Sequence, residues 1–204
     1  MVLEVLKFPD PRLRKKGVVI EMVTPALKKL AADMLETMYD ENGIGLAAPQ
    51  VGQSIRFLVI DTRPSDDDGN PTTEGLTELE AQVEQPLQIF NPEILIAEDK
   101  TSYDEGCLSV PGFYETVERA RYVEVRALDI NGREILIKTD GLLSICLQHE
   151  MDHLDGKLFI DRLSFVKSNR IKNRITKKGY PSPEEMEQER AEARERRKAE
   201  REET

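Results

Sequence analysis

The chain has 204 residues, and its 39 acidic and 29 basic side chains give a formal net charge of −10 at pH 7. This length favours one domain of catalytic size with an appendage, and the negative charge argues against a general nucleic-acid surface and direct DNA binding. The first residues lack the apolar run of a signal peptide, and no stretch reaches the ~18 apolar residues of a membrane span, so a cytoplasmic protein without membrane contact is expected.

The N-terminal part of the chain predicts a helix and then a strand. Thr24-Pro25 is typical of an N-cap followed by proline in the first turn. Apolar residues recur at helical spacing over 27–38, which predicts an amphipathic helix that Gly43 or Gly45 would end. The apolar run over 55–60 predicts a buried strand.

The middle of the chain predicts an insertion and then β-structure. Residues 62–85 are polar and acidic, which is typical of a mobile loop. A strand is predicted over 87–96. The runs 122–128 and 134–138 flank Asn131-Gly132, and an Asn-Gly pair between β-rich runs is a strong hairpin signal.

A second helix is predicted over 141–154, with Asp140 as a possible N-cap and Gly156 as its stop. This helix is apolar on most sides, which is typical of a buried, central helix. The last part, 166–204, is a highly charged extension, expected to be helical or disordered. The predicted fold class is α+β, with mostly antiparallel strands packed around one central buried helix and a C-terminal helix.

The central helix carries an H-E-x-x-H box, and the chain has no other histidines than the two in this box. Four-residue spacing places His149 and His153 on one helix face, where two imidazoles can bind one metal ion. Glu150 then lies where a general base can reach a water activated by that metal. The alternative interpretation is a surface or core role for both histidines.

A catalytic metal site of this kind typically takes three protein ligands. The third can be a Cys, Asp or Glu, and Cys107 is a candidate, although a free cysteine is often only a small buried hydrophobe. Cys146, one turn before His149, is expected in the pocket wall. The segment from Gly43 to Gln50 holds two close glycines, which either let the backbone approach a ligand or simply end a helix.

Together these segments resemble the peptide deformylase family. That family carries G-φ-G-φ-A-A-x-Q, E-G-C-φ-S and Q-H-E-φ-D-H in this order, with φ an apolar residue. Here the motifs stand as Gly43 to Gln50, Glu105 to Ser109 and Gln148 to His153. The resemblance covers roughly residues 1–165, which would form the catalytic domain, and the 62–85 insertion and the charged tail depart from it.

The resemblance implies a reaction and a metal. It implies that Cys107, His149 and His153 bind one divalent ion per chain, with Fe(II) as the native metal and zinc, nickel or cobalt able to replace it. The implied reaction is hydrolysis of the N-formyl group from the formyl-methionyl end of nascent peptides. Glu150 would transfer the proton, and the Gln50 side-chain amide and the Leu108 backbone N–H would stabilise the oxyanion.

The resemblance also implies how a peptide binds. Gly45 would hold the peptide backbone, where a side chain would block the approach. An apolar slot for methionine is expected along the helix, although ordinary core packing explains the same residues: Ile44, Leu142, Ile145 and Cys146. Glu105 is a candidate partner for a ligand histidine or an arginine, because metal-bound imidazoles usually donate their other N–H.

Three other interpretations remain open. The first is a metalloprotease that uses the same H-E-x-x-H box, although such enzymes usually take a carboxylate or a third histidine as ligand. The second is a structural metal module, which would need a fourth protein ligand. The third is docking to the ribosome, near its exit tunnel, through the charged tail, whose stretch 184–203 has nine acidic and six basic residues and so fits an RNA surface poorly.

Overall fold

The computed structural model describes residues 1–66, 68–182 and 184–185. The fold is α+β, with one five-stranded antiparallel sheet in the order β1-β2-β3-β4-β5. The strands are β1 (Gly45–Ala47), β2 (Phe57–Ile60), β3 (Leu87–Glu105), β4 (Glu115–Leu128) and β5 (Glu134–Thr139). The α-helices within the described part are α1 (Pro25–Asp40), α2 (Glu78–Gln82), α3 (Gly141–Leu154) and α4 (Phe165–Lys178). None of these helices combines the length and apolar character needed to cross a membrane.

The first helix begins as predicted and ends earlier than predicted. Thr24 caps α1, since its hydroxyl accepts a hydrogen bond from the backbone N–H of Leu27. The helix ends at Asp40, so the prediction that a glycine ends it is wrong. Asn42 takes the left-handed conformation, with φ of 55°, because asparagine tolerates the geometry that usually needs glycine at a helix end.

Strands β4 and β5 form the predicted hairpin, in which Leu128 pairs with Glu134. Gly132 has φ of 78°, which explains the Asn-Gly signal at this turn. The strand predicted over 87–96 is longer, and it continues to Glu105 because its distal half pairs with β4. That half is exposed on both faces, so it lacks the apolar alternation by which a strand is recognised.

Helix α3 packs against the sheet, and its residues Leu143, Leu147 and Leu154 are fully buried. Asp140 is the N-cap residue, as predicted, and its carbonyl accepts from the Ser144 N–H at 3.1 Å, but its side chain makes no capping bond. The carboxylate of Glu80 takes that place and accepts from the backbone N–H of Leu143 at 3.0 Å. Asp140 instead accepts a hydrogen bond from the Thr77 hydroxyl.

The segment expected to be a loop throughout, 62–85, therefore contains an ordered part. Thr77 and Glu80 form a capping box at the start of α2, and Glu80 is buried. A Cβ on Gly141 would lie 2.4 Å from the Glu80 carboxylate, and Gly141 has φ of 61°. The insertion thus fits against the N-terminus of α3 only because residue 141 is glycine.

The chain continues past α3 into a helix that packs on the same domain. Ile171 and Ile175 of α4 are buried in a cluster with Val110, Val117 and Phe159. The charged extension predicted over 166–204 thus begins as a folded helix. Its stretch 186–204 lies outside the described residues.

Candidate active site

A cavity of about 600 Å³ opens between α3, β1 and the segment that follows β3. The metal-ligand candidates Cys107 and His149 line it, together with Glu150, Gln50 and Leu108. The expected substrate-binding residues line the same cavity: Ile44, Gly45, Leu142, Ile145 and Cys146. The structure therefore brings together residues that lie far apart in the sequence.

Three candidate ligands meet at the inner side of this cavity. The donor atoms of Cys107, His149 and His153 all lie within 4.8 Å of one another. The Cys107 Sγ is 3.3 Å from His153 Nε2, and both imidazoles are buried. One sulfur and two nitrogen donors at this separation fit the bond lengths of about 2.3 and 2.0–2.1 Å that a transition metal such as zinc makes to thiolate and imidazole. The donor set therefore suits a divalent transition metal.

The first histidine is fixed by a chain of buried charges. His149 Nδ1 lies 2.7 Å from Glu105 Oε2, so Nε2 is the nitrogen of this ring that can bind a metal. Two hydrogen bonds of 2.6 and 2.8 Å join Glu105 to Arg119. Arg119 also donates to Asp152 at 2.6 Å, and Asp152 accepts from Arg162 at 2.6 Å near the surface.

These charges hold one another in their ionised forms. Burial alone raises the pKa of Glu105, but hydrogen bonds from Arg119 and His149 outweigh it and keep that pKa below its ordinary value. Asp152 behaves in the same way, since its bonds to Arg162 and Arg119 lower its pKa against the effect of burial. The buried ion pairs therefore form a charged frame behind His149.

The second histidine has a different environment. No residue of the described part offers a hydrogen-bond partner to His153 Nδ1, although this atom is buried. Burial and the neighbouring His149 lower the pKa of His153 well below its ordinary value. For His149, burial also lowers the pKa, but hydrogen bonds with Cys107 and Glu105 outweigh it and raise the value. The pKa values of the two imidazoles are therefore shifted in opposite directions.

Glu150 is a buried carboxylate with unused hydrogen-bonding capacity. Its Oε2 has no hydrogen-bond partner in the described part of the chain. Burial raises the pKa of Glu150 to about 7, so the group can gain or lose a proton near neutral pH. A Cβ on Gly45 would lie 2.5 Å from Glu150 Oε1 and 2.8 Å from Cys146 Sγ, so Gly45 makes room for this carboxylate.

The amide of Gln50 is held in one orientation. Its Oε1 accepts from the backbone N–H of Ala47 at 2.8 Å. Its Nε2 therefore points toward the segment after β3, and lies 3.1 Å from Ser109 Oγ and 3.7 Å from Cys107 Sγ. This arrangement places an N–H donor beside the candidate metal ligands.

Three further residues shape the site and were not predicted from the sequence. They are Arg119 and Asp152, which link Glu105 to the surface, and Ser109, which accepts from Gln50. Asp152 lies inside the H-E-x-x-H box, and its charge in an otherwise buried helix was a usable signal. Arg119 lies in a strand rich in charged residues, and the usable signal was its phase, since it alternates with Val117 and Val123 on the buried face.

A sequence profile described as polypeptide deformylase matches residues 2–169. The chain belongs to the polypeptide deformylase family. It is 47% identical over 176 residues to a peptide deformylase of Alkalilimnicola ehrlichii, which covers 86% of this chain and 90% of that relative. It is also 47% identical over 178 residues to a peptide deformylase of Cellvibrio japonicus, with 87% and 95% covered.

Solved structures of the family are similar to this fold. The crystal structure of a peptide deformylase from Legionella pneumophila has a TM-score of 0.73 and 41% identity, and the match covers 87% of this chain and 95% of that chain. A peptide deformylase from Ehrlichia chaffeensis in complex with actinonin has a TM-score of 0.74 and 39% identity, with 87% and 98% covered. Both the sequence and the fold therefore place this chain in the deformylase family.

Proposed function

We propose that this cavity removes the N-formyl group from the N-terminal formyl-methionine of newly made polypeptides and releases formate. Membership of the polypeptide deformylase family gives the reaction class, a metal-dependent hydrolysis, so the chain is an enzyme. The residue roles are our proposal, as is the role of the strands as a frame around a central H-E-x-x-H helix. The observation that carries these roles is a buried carboxylate with a free oxygen, Glu150, beside a cluster of three metal-ligand donors.

The metal is assigned to Cys107, His149 and His153, with one divalent ion per chain. A thiolate with two imidazoles suits Fe(II), zinc, nickel and cobalt, and we propose Fe(II) as the native ion. Such an ion supplies Lewis-acid activation of water and of the formyl carbonyl. Glu105 orients the imidazole of His149 through Nδ1, so that Nε2 would be the atom that binds the ion.

Glu150 is the proposed proton-transfer group. Its free Oε2 accepts a proton from the attacking water and returns it to the leaving amine. A pKa of about 7 suits both halves of this cycle, because the group neither holds nor rejects the proton strongly at neutral pH.

Gln50 and Leu108 are the proposed donors to the oxyanion that forms on the formyl oxygen. The Nε2 of Gln50 is aimed in advance, because its Oε1 is held by the backbone of Ala47. The backbone N–H of Leu108 follows directly after the candidate ligand Cys107. Loss of one such donor typically lowers the rate by about 10²–10³.

The peptide is proposed to bind along β1 and the adjacent face of α3. Gly45 offers its backbone groups without a side chain that would displace Glu150. The methionine side chain would occupy the slot lined by Ile44, Leu142, Ile145 and Cys146. Actinonin, which the Ehrlichia chaffeensis structure contains, is expected to compete for this slot.

The cellular setting is also a proposal. A substrate made of newly synthesised, formylated chains favours the cytoplasm and a position near the ribosome exit tunnel. We also propose a catalytic domain over 1–165, with an insertion at 62–85, and an extension over 166–204 whose helix α4 packs on that domain.

The decisive test is formate release from a formyl-Met tripeptide by full-length protein purified anaerobically with Fe(II), with and without a chelator. We expect release that the chelator stops and that Fe(II) restores. Protein that holds one metal ion per chain but releases no formate would contradict the proposed function.

A matched assay separates the metalloprotease alternative. The same protein is given an unformylated internal peptide, and we expect no cleavage. Cleavage of that peptide with the formyl-Met tripeptide untouched would favour the protease.

The substitution Cys107→Ser tests the third metal ligand. It is expected to weaken metal binding strongly, and unchanged metal stoichiometry would point to another third ligand.

A further inference from the structure

A tyrosine beyond the part of the chain matched by the family profile packs against Ser109, which accepts a hydrogen bond from the active-site residue Gln50. The profile ends at residue 169, and α4 ends at Lys178. Gly179 then turns the chain with φ of 80°. This turn brings Tyr180, which is half-buried, back onto the domain beside the buried Pro181.

Tyr180 contacts two separate segments at once. Its hydroxyl donates to the backbone carbonyl of Phe8 at 2.5 Å and lies 3.3 Å from that of Ser109. Phe8 and Ser109 are also joined directly, because the Phe8 N–H donates to the Ser109 carbonyl at 2.9 Å. The Tyr180 ring packs edge to face against Phe113, with the ring centroids 6.4 Å apart. Tyr180 therefore joins three segments: the N-terminal arm (residues 1–10), the segment after β3 (106–114) and the C-terminal segment (179–182).

This junction is one step from the proposed chemistry. Ser109 is fully buried, and its Oγ accepts from Gln50 Nε2 at 3.1 Å. Cys107 lies two residues before Ser109, and its carbonyl accepts from the Val110 N–H at 2.9 Å, which closes a tight turn. A shift of Ser109 would therefore move both the Cys107 Sγ and the Gln50 amide.

We propose that Tyr180 is a positioning residue for the metal site, which fixes the turn from Cys107 to Ser109 against the N-terminal arm. It acts through Ser109 and touches no reacting group. The proposal rests on the proposed function, because it takes Cys107 as a metal ligand and Gln50 as a donor.

The test compares Tyr180→Phe with Tyr122→Phe in the full-length protein. Each change removes one hydroxyl group, but the Tyr122 hydroxyl donates to Glu124 on the surface of the sheet, at 2.8 Å. The measurements are the rate of metal loss to a chelator, the thiolate-to-metal absorption of the Co(II)-loaded protein, and kcat and KM for a formyl-Met tripeptide.

For Tyr180→Phe we expect metal loss about 3–10-fold faster, the range that one hydrogen bond corresponds to. We also expect a shifted thiolate-to-Co(II) band and a lower kcat with KM within about twofold. Tyr122→Phe should match the wild type in all of these. Tyr180→Ala also removes the ring packing, so it should lose metal faster and have a lower kcat than Tyr180→Phe.

A purely structural role would lower the melting temperature of Tyr180→Phe and leave the Co(II) band and kcat unchanged, which would overturn the proposal. If Tyr180→Ala does not fold, the Phe variant alone decides, by the Co(II) band. A wild type that binds metal and is active, with Tyr180→Phe equal to Tyr122→Phe, contradicts only the role of Tyr180. A wild type that binds no metal contradicts both this proposal and the proposed function.

Discussion

The two sides of the H-E-x-x-H box differ in how their polar atoms are used. On one side, His149 leads through Glu105, Arg119 and Asp152 to Arg162, and each member of this chain is hydrogen-bonded to the next. On the other side, Glu150 Oε2 and His153 Nδ1 are buried without a partner in the described residues. Most buried polar atoms in proteins are paired, so an unpaired one calls for an explanation.

We interpret the paired side as the support of His149 and the unpaired side as the place of the proposed proton transfer. The paired side holds charges that cancel one another and fixes a ring in one orientation. The unpaired side keeps a carboxylate with a pKa of about 7 and a free oxygen beside the ligand cluster. Substituting residues on each side should therefore produce different kinds of loss.

The largest effect is expected on the unpaired side. Glu150→Gln keeps the size of the side chain and removes its ability to accept a proton. We expect kcat to fall by about 10²–10⁴, while the protein still binds one metal ion per chain. Steady-state kinetics with metal analysis checks this, and near-normal turnover would refute a role in proton transfer.

On the paired side, Glu105→Ala should affect the metal and the fold more than the chemical step. Metal affinity should fall by about 10–100-fold, since His149 loses the group that orients it. Removing one partner of a buried pair should also cost about 3–5 kcal/mol of unfolding free energy.

The matched control for Glu105→Ala is Glu115→Ala, because the two residues pair directly across β3 and β4. Glu115 binds Lys167 and Arg170, whose side chains are exposed, so its loss leaves no buried positive charge without a partner and should cost less than the loss of Glu105. Equal metal affinities in the two variants would remove the orienting role of Glu105.

The unpaired carboxylate also predicts how stability depends on pH. In metal-free protein the pKa of Glu150 is about 7, against an ordinary value of 4.5, so the native state holds this proton more tightly than the unfolded state does. Its contribution to stability is complete below pH 4.5 and is lost as the pH rises to about 7, a change of about 3 kcal/mol.

Metal-free Glu150→Gln should not show this loss of stability with rising pH, because glutamine does not titrate. It should match the wild type at low pH and become the more stable protein as the pH rises toward 7. Denaturant unfolding of both proteins between pH 4 and 8 measures the difference, in which other titrating groups cancel. A difference that does not change with pH would contradict the raised pKa of Glu150.

The smallest effect is expected at the outer end of the paired chain. Arg162 lowers the pKa of Asp152, which stabilises the native state above the ordinary pKa of an aspartate and is lost as the pH falls. Arg162→Gln should shift acid unfolding to slightly higher pH and cost at most about 1 kcal/mol near pH 7, because the Arg162 side chain is 41% exposed.

The control for Arg162→Gln is Arg126→Gln, which removes an exposed pair with Glu93. It should leave acid unfolding unchanged. A shift of the same size in both variants would mean that the outer end of the chain is only a surface pair.

Much of the fold could be predicted from local patterns. The Thr24 cap and the Asn131-Gly132 turn depend on neighbouring residues, so the sequence carries them. The side-chain cap of α3 could not be read in this way, because Glu80 lies 63 residues from the N–H group it accepts from. The adjacent Asp140 was the better local candidate, but the Thr77 hydroxyl binds it instead.

In the candidate site, too, the features set by local sequence could be predicted and those set by distant contacts could not. The residue types and spacing of Cys107, His149 and His153 predicted a ligand cluster, and their donor atoms do lie together. A link from Glu105 to a ligand histidine or an arginine was predicted, and the structure pairs Glu105 with both His149 and Arg119. The continuation through Arg119 was harder to predict, because Arg119 and Arg121 share the face of β4 that carries the buried valines and only Arg119 is buried.

The hydrogen bond from Tyr180 to Phe8 has a consequence for the order in which the protein is made. The two residues are separated by 172 positions, and a ribosome adding about 5–20 residues per second needs roughly 10–30 s to cross that interval. The Phe8 N–H can bond to the Ser109 carbonyl once residue 109 has been made, but the contact from Tyr180 needs 71 further residues. The third contact at this junction therefore forms only after the end of α4 has been translated.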